Sequence, residues 1–402
     1  MQILMLKGSS QYDVLRFFVD EVGHGFRKLG FDVNTVDLIS DDWKPKLTAA
    51  MKSGIDVVIS FNGMGLGLQT DQGDLLFEAL KAQCISIFVD HPCYHYSRII
   101  TAPSNTIFTF IDKSHVDFCR QYFNDKNYVF YFLPHAGSKI NLAEHPELSA
   151  TMINDSYEKA SVMFSGSCKE ASVDSVGEQY ASSLLKSLFY NVYDEMTGST
   201  TKSFYDAVGD VMKDKGLHIA STERLVLIVN QIFAGINQVR CAENRQRLLG
   251  AAESTGINVD IYGPATWTAY CDDKKFLNYR GQKNYQEILG LYQQYQFVLN
   301  DNNDFYNGSH ERHFDALVNF SCPVSPINEY YQGGQHGSGI GLFFDRNNPL
   351  EVIGELSNTE ALYEQFKQGL ESTEGDFKFM HSWQSRVVEL VNLIGLFGQT
   401  KR

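Results

Sequence analysis

Little in this chain points to a disulfide framework, a zinc ribbon or a membrane span. Its seven cysteines (84, 93, 119, 168, 241, 271, 322) are odd in number, scattered, and never paired as C-x-x-C. That usage reads as buried, reduced thiols of a cytoplasmic protein. No apolar run reaches the roughly 18–20 residues that span a bilayer, so no transmembrane segment is expected. The nearest stretch, 225–236, is broken by Asn230, Gln231 and Gly235. The opening MQILMLKGSS lacks the charged and long apolar regions of a signal peptide. Basic charge is also short. Against 48 acidic residues stand 34 Lys and Arg, a formal charge of −14, which argues against general binding to nucleic acid or anionic membrane. A local basic pocket stays compatible with that balance, as does a homo-oligomer. No repeat and no low-complexity tract breaks the sequence.

What is present is ample for folding: 43% hydrophobic and 13% aromatic residues over 402 positions, enough for about two or three domains. The first 140 residues alternate short β-rich runs (2–7, 32–38, 56–61, 84–90, 106–111, 128–133) with helical patterns. Such alternation implies a parallel sheet covered on both faces, with ligands at the C-terminal ends of its strands. A polar stretch over 138–155 suits a linker. The β pattern restarts at 160–164, is interrupted by helical periodicity over 175–253, and resumes at 259–263, 276–279, 297–300, 324–327 and 341–344. The expected fold class is therefore α/β: two Rossmann-like domains, 1–140 and 156–380, the second with a helical insertion. A last helix over 381–402 could cross back to the first domain.

Three segments stand out in the second half: VMFSGS (162–167), VDIYGP (259–264) and GSHERHFDALVNFSCPV (308–324). A loop that feeds a helix near Ser309 offers unpaired N–H groups to an anion. In this order the segments resemble the donor domain of the CgeB-like glycosyltransferase family, of GT-B fold, in which two Rossmann-like domains face each other across a cleft. Arg312, Phe314, Asp315, Ala316, Leu317 and Pro323 match the family's loop–helix pattern, and His381, Trp383 and Arg386 match its C-terminal helix. Asp315 stands where Glu is usual and Ser321 where Gly is usual. LPHAG (133–137) matches more weakly.

The resemblance implies a transferase that moves a sugar from a nucleotide-activated donor to an acceptor hydroxyl on a glycan, small molecule or protein. The nucleotide-sugar would be a co-substrate, with no cofactor and no metal. Gly166 and Gly308 would let backbone approach the pyrophosphate, and Ser167 and Ser309 would cap helices and donate to phosphate. Asn307 belongs to the same loop. Tyr262 and Gly263 would lie by the base, Glu311 or Asp315 would accept from the ribose, and Arg312 or Arg280 would offset leaving-group charge. The plainer reading makes Ser309 an N-cap and the two carboxylates helix-dipole partners.

The first domain would take the acceptor, with Asp13, His91 (oriented by Asp90) or His135 as the base. Three further signals compete. Residues 62–67, NGMGLG, follow a strand as a dinucleotide loop would and leave an NAD-dependent oxidoreductase as an alternative, beside a nucleotide-sugar epimerase. Asp272-Asp273 and the run 301–304 read as solvated turns rather than a metal site. His310, His313 and His336 lack zinc-ligand spacing.

Overall fold

The computed structural model describes residues 1–123, 127–140, 160–168, 170–199, 202–218, 222–302, 305–333, 340–372 and 380–398. The chain divides into two compact units, Met1–Ala136 with Phe379–Arg402, and Gly137–Lys378. The linker read over 138–155 lies outside the described residues beyond Ile140, as does most of the glycine-rich stretch 332–341 with His336.

In the first unit, strands β1 (Gln2–Lys7), β2 (Asp32–Asp37), β3 (Val57–Phe61), β4 (Gln83–Phe88), β5 (Thr106–Phe110) and β6 (Val129–Phe132) form one sheet in the order β2-β1-β3-β4-β5-β6. All its pairings are parallel. β3 and β5 are buried at every residue, as strands covered on both faces must be. The helix Val14–Lys28 turns Phe18, Val19, Val22 and Phe26 inward at helical spacing. The C-terminal helix Trp383–Gly398 packs in this same unit. Trp383 meets the rings of Phe18 and Phe61 at 5.0 and 5.6 Å. Gly25 lies so near Val387 that a Cβ there would sit 2.8 Å from a valine methyl. Arg386 donates to the carbonyl oxygens of Pro134 and His135 at 2.7 and 3.2 Å.

In the second unit, β7 (Ala160–Ser165), β8 (Val259–Tyr262), β9 (Leu277–Gly281), β10 (Tyr295–Leu299), β11 (Cys322–Pro326) and β12 (Leu342–Phe344) form another parallel sheet, ordered β12-β11-β10-β7-β8-β9. Between β7 and β8 run the helices Val173–Gly177, Ser183–Thr197, Phe204–Asp214 and Thr222–Thr255. The last departs from the expectation drawn from 225–236, because it is long and apolar enough to cross a membrane by length and composition. Its apolar window is 56% buried inside the protein. Val226, Val229, Phe233 and Ile236 are among its buried side chains, and Leu248, Leu249 and Ala252 join the sheet core with Phe164, Val259 and Ile261. All seven cysteines are free thiols, six of them buried and Cys168 half-buried.

Each sheet reverses direction beside its first strand, between β1 and β3 in one unit and between β7 and β10 in the other. At such a switch the connections diverge to opposite faces and leave a crevice outside the strand ends.

Candidate functional site

The crevice of the second unit opens where β7 ends in Ser165, Gly166 and Ser167 and β10 gives way to Asn300, Asp301 and Asn302. Asparagine side chains shape the β10 loop. The Asn300 amide donates to Ser325 Oγ at 3.2 Å, and Asn302, in the left-handed region at φ 40°, accepts from the His310 N–H at 3.1 Å. This geometry turns the Asp301 carboxylate inward between two guanidiniums. Arg245 Nε donates to Oδ2 and Arg312 Nη1 to Oδ1, both at 2.7 Å. Arg245 Nη1 also donates to Ser167 Oγ at 2.8 Å, and Arg312 Nη1 to Asn300 Oδ1 at 3.3 Å. A third guanidinium, from Arg346, donates to the Asn302 carbonyl at 2.9 Å and lies over the Tyr306 ring.

Burial alone would push the Asp301 carboxyl up, but Arg245 and Arg312 outweigh it and hold the group far below the usual carboxylate range. Arg312 stays charged, since Asp301 and Glu311 outweigh its own desolvation. Arg245, Arg312 and Arg346 outnumber the carboxylates of Asp301 and Glu311 and leave an excess of positive charge at the strand ends of a chain whose formal charge is −14. That excess suits an anion with oxygens on more than one side, such as a diphosphate.

Among the residues expected from the sequence, Arg312, Gly166 and Ser167 converge on this cluster. Gly166 fits because a Cβ there would press on Phe164 at 3.1 Å and stand 3.6 Å from the Arg245 guanidinium carbon. Gly263 meets a stricter demand, as its Cβ would lie 2.2 Å from the Gly166 carbonyl oxygen. Ser167 caps no helix; it accepts from Arg245, while Ser172 caps Val173–Gly177. Ser309 is not an N-cap either. The helix Glu311–Val318 is flanked by His310 without a side-chain cap, and the Ser309 hydroxyl bonds the Tyr331 hydroxyl. Asn307 donates to Glu329 at 2.8 Å, and the Gly308 carbonyl accepts from Asn328 at 2.9 Å, so both serve to fold the loop.

Tyr262 and Arg280 turn their side chains to other partners, although the Tyr262 carbonyl accepts from the Gly166 N–H at 3.0 Å. The Tyr262 hydroxyl meets that of Tyr295 at 2.9 Å, and Tyr295 donates to Asp260. Arg280 sits on the edge strand β9 and donates to Asp260 at 2.8 Å. The two carboxylates of the helix differ in surroundings. Glu311 is partly exposed beside His310, whereas Asp315 is fully buried. His310 turns to Glu311 while His313 faces Ser325, so these two histidines do not converge. Asp301 is no solvated turn; Asn303 and Asp304 of that run lie outside the described residues.

In the first unit Asp13, His91 and His135 have different surroundings. Asp13 is exposed beyond β1 and meets Arg16 at 3.3 Å, although Arg16 is held mainly by Asp37 at 2.6 Å. His91 is buried, its Nδ1 accepts from the Cys93 N–H, and its ring meets His115 edge-on at 4.6 Å. Burial pushes its pKa well down, with His115 and His95 adding to the effect, so it is neutral. The Asp90 carboxylate, expected to orient His91, instead accepts from Asn62 at 2.7 Å and lies 3.5 Å from His95. His135 is buried against Phe18 and Trp383, ring centroids 5.0 and 5.2 Å away. The NGMGLG loop also departs from a dinucleotide fingerprint. It closes on itself in successive turns, a Cβ at Gly63 would stand 3.0 Å from Arg98 and one at Gly65 2.7 Å from Leu38, and the next helix begins only at Leu76. No helix N-terminus follows the glycines to receive a pyrophosphate.

Sequence reasoning missed Arg245, Asp301 and Arg346. One signal was available for Arg245. Cys241, Arg245, Leu248 and Ala252 share the buried stripe of one helix, so a basic residue interrupts an apolar face.

No family model and no curated protein matches this chain. Solved structures with the two-domain α/β fold of GT-B glycosyltransferases do match. A sucrose-phosphate synthase from Thermosynechococcus elongatus aligns over 100% of both chains at a TM-score of 0.51 and 8% identity, which shows the shared fold. AviGT4, a glycosyltransferase involved in avilamycin A biosynthesis, aligns over 99% of this chain and 98% of its own at 0.48 and 9%. The UDP-GlcNAc 2-epimerase of Methanocaldococcus jannaschii aligns over 98% and 100% at 0.41 and 10%.

Proposed function

We propose that this chain is a glycosyltransferase of the CgeB-like kind that takes its sugar from a nucleoside diphosphate donor bound by the second unit. The observation that carries the reading is the Arg245–Asp301–Arg312 cluster at the switch between β7 and β10. A departing nucleoside diphosphate gains negative charge as the glycosidic bond breaks, and preformed guanidiniums stabilise that charge without reorganising. Asp301 keeps both arginines in register, and the glycines at 166 and 263 keep the strand ends close. In this proposal the arginines neutralise the diphosphate without a metal, the first unit takes the acceptor, and the protein works in the cytoplasm with no resident cofactor.

Thermal shift against UDP, GDP, dTDP, CMP and NAD tests the reading. A nucleoside diphosphate should raise the melting temperature, and its sugar conjugate should then release nucleotide on incubation with the protein. Stabilisation by NAD alone would overturn the proposal. An epimerised sugar nucleotide without nucleotide release would replace transfer by epimerisation.

A further inference from the structure

The helices between β7 and β8 end in Thr222–Thr255, whose two halves serve different neighbours. Its first half packs with the rest of the insertion. Phe233 meets the Phe204 ring at 5.0 Å, and the Tyr180 hydroxyl donates to the Gln231 carbonyl at 2.7 Å. Its last turns join the sheet core through Leu248, Leu249 and Ala252. Between the halves, residues 240–245 are held from two sides. On one side Arg245 Nε donates to Asp301 at 2.7 Å, and the Cys241 thiol lies 3.9 Å from the same carboxylate oxygen. On the other, the Tyr193 hydroxyl donates to Glu243 at 2.6 Å, and Arg240 Nη1 donates to the Met196 carbonyl at 3.1 Å.

The second pair of contacts forms a grip. Tyr193 and Met196 stand one turn apart at the C-terminal end of the helix Ser183–Thr197, and Arg240 and Glu243 stand one turn apart on the helix they meet. The Met196 carbonyl is one of those a helix end leaves without an intrahelical partner, and the guanidinium that takes it also faces the negative end of the helix dipole. Two contacts at matched spacing fix a helix in rotation and in axial position together. At about 100° per residue, position 243 points roughly 160° away from 245, so the insertion holds the helix from behind the arginine. A slip of about 1 Å would stretch the bond from Arg245 to Asp301 past hydrogen-bond length.

We propose that the helical insertion is a brace for the diphosphate site, and that Tyr193 is a positioning residue that acts on the bound diphosphate through Arg245. The inference rests on the nucleoside diphosphate reading above. By linkage, an anion held at Arg245 steadies the insertion as much as the insertion steadies Arg245.

Calorimetric titration with inorganic pyrophosphate, UDP and GDP, together with hydrogen exchange and urea melts, provides the test. Tyr193→Phe removes the hydroxyl and should weaken the best binder of the three by about fivefold or more, the lower range of coupling between linked sites. Glu243→Gln keeps an acceptor for Tyr193 and should bind as wild type does. Tyr180→Phe removes a bond from the insertion to the first half of the same helix, and should lower stability without changing affinity. In wild type the bound anion should slow exchange at the amides of 183–197, and in Tyr193→Phe that protection should vanish. Unchanged affinity in Tyr193→Phe, a loss in Glu243→Gln, or equal losses in Tyr193→Phe and Tyr180→Phe overturns the positioning role. Exchange over 183–197 that ignores the anion in wild type overturns the brace. Should none of the three anions bind wild type, the donor reading itself falls and takes this inference with it.

Discussion

Replacing Asp301 by Asn removes one negative charge and leaves its shape, so the change isolates what that charge does. In the native protein Arg245 and Arg312 each donate to the carboxylate at 2.7 Å, and Asp301 and Arg245 are buried. With charge centres about 4 Å apart and an effective dielectric near 20, each pair is worth on the order of 4 kcal/mol. Mutual repulsion of the arginines and the desolvation of the carboxylate offset much of that sum. The usual cost of breaking a buried pair from one side, about 3–5 kcal/mol, is the expected net loss. For a unit of this size that lowers the melting temperature by roughly 6–20 °C. The loss should also depend on pH. The folded-state pKa of Asp301 lies far below its unfolded value, so its contribution is present above about pH 4 and fades as pH falls below it. The gap between wild type and Asp301→Asn should therefore persist from neutral pH to about 4 and narrow beyond. Inorganic pyrophosphate should restore more stability to the variant than it adds to wild type, because the unpaired arginines gain an anion. Differential scanning calorimetry with and without pyrophosphate reads all three effects. A variant within about 2 °C of wild type at pH 7 would refute the charge argument.

Other perturbations bear on the two units separately. Gly137→Ala forces a Cβ onto the Phe314 carbonyl and should cost about 1–3 kcal/mol in urea unfolding; a neutral result would contradict the packing of 137–140. Asn62→Ala, at φ 49°, loses its bonds to Asp90 and to the Val89 N–H and should cost about 2 kcal/mol or more. Asn62→Asp, which keeps the acceptor for Val89 but repels Asp90, should also destabilise, and more so at high pH than at low. His91 is kept neutral by burial, so unfolding frees it to take a proton and stability should fall as pH drops below 6.5. In His91→Asn that slope should flatten, as denaturant melts at pH 5 and 7 would show. Trp383→Ala should cost about 3–5 kcal/mol, since the indole packs on Phe18, Phe61 and His135 inside the first unit.

The layout of both sheets was legible because parallel strands buried on two faces write continuous apolar runs such as ILML and VVIS, separated by helical periodicity. The loop–helix that carries Arg312 was legible as a structural element for a similar reason, since a polar loop there joins an apolar strand to an amphipathic helix. Asp301 was not. A run of Asp and Asn reads as a solvated turn unless its arginine partners are known, and Arg245 comes from 56 residues upstream. Ser309 misled for a non-local reason. Its hydroxyl finds Tyr331, a partner 22 residues away that propensity cannot see. His91 and His135 were chosen for their places at strand ends, but a strand end carries some side chains into the core. Phe18, Trp383 and His115 decide that, and each comes from a distant part of the chain.

The most direct test is calorimetric titration of the nucleoside diphosphate that stabilises the protein best, against wild type and against Arg245→Met with Arg312→Met. Diphosphate binding at the β7–β10 switch predicts measurable affinity for wild type and a loss of at least about 100-fold in the double variant, the worth of two charge-assisted contacts. Affinity unchanged in a folded double variant would place the diphosphate elsewhere and contradict the account.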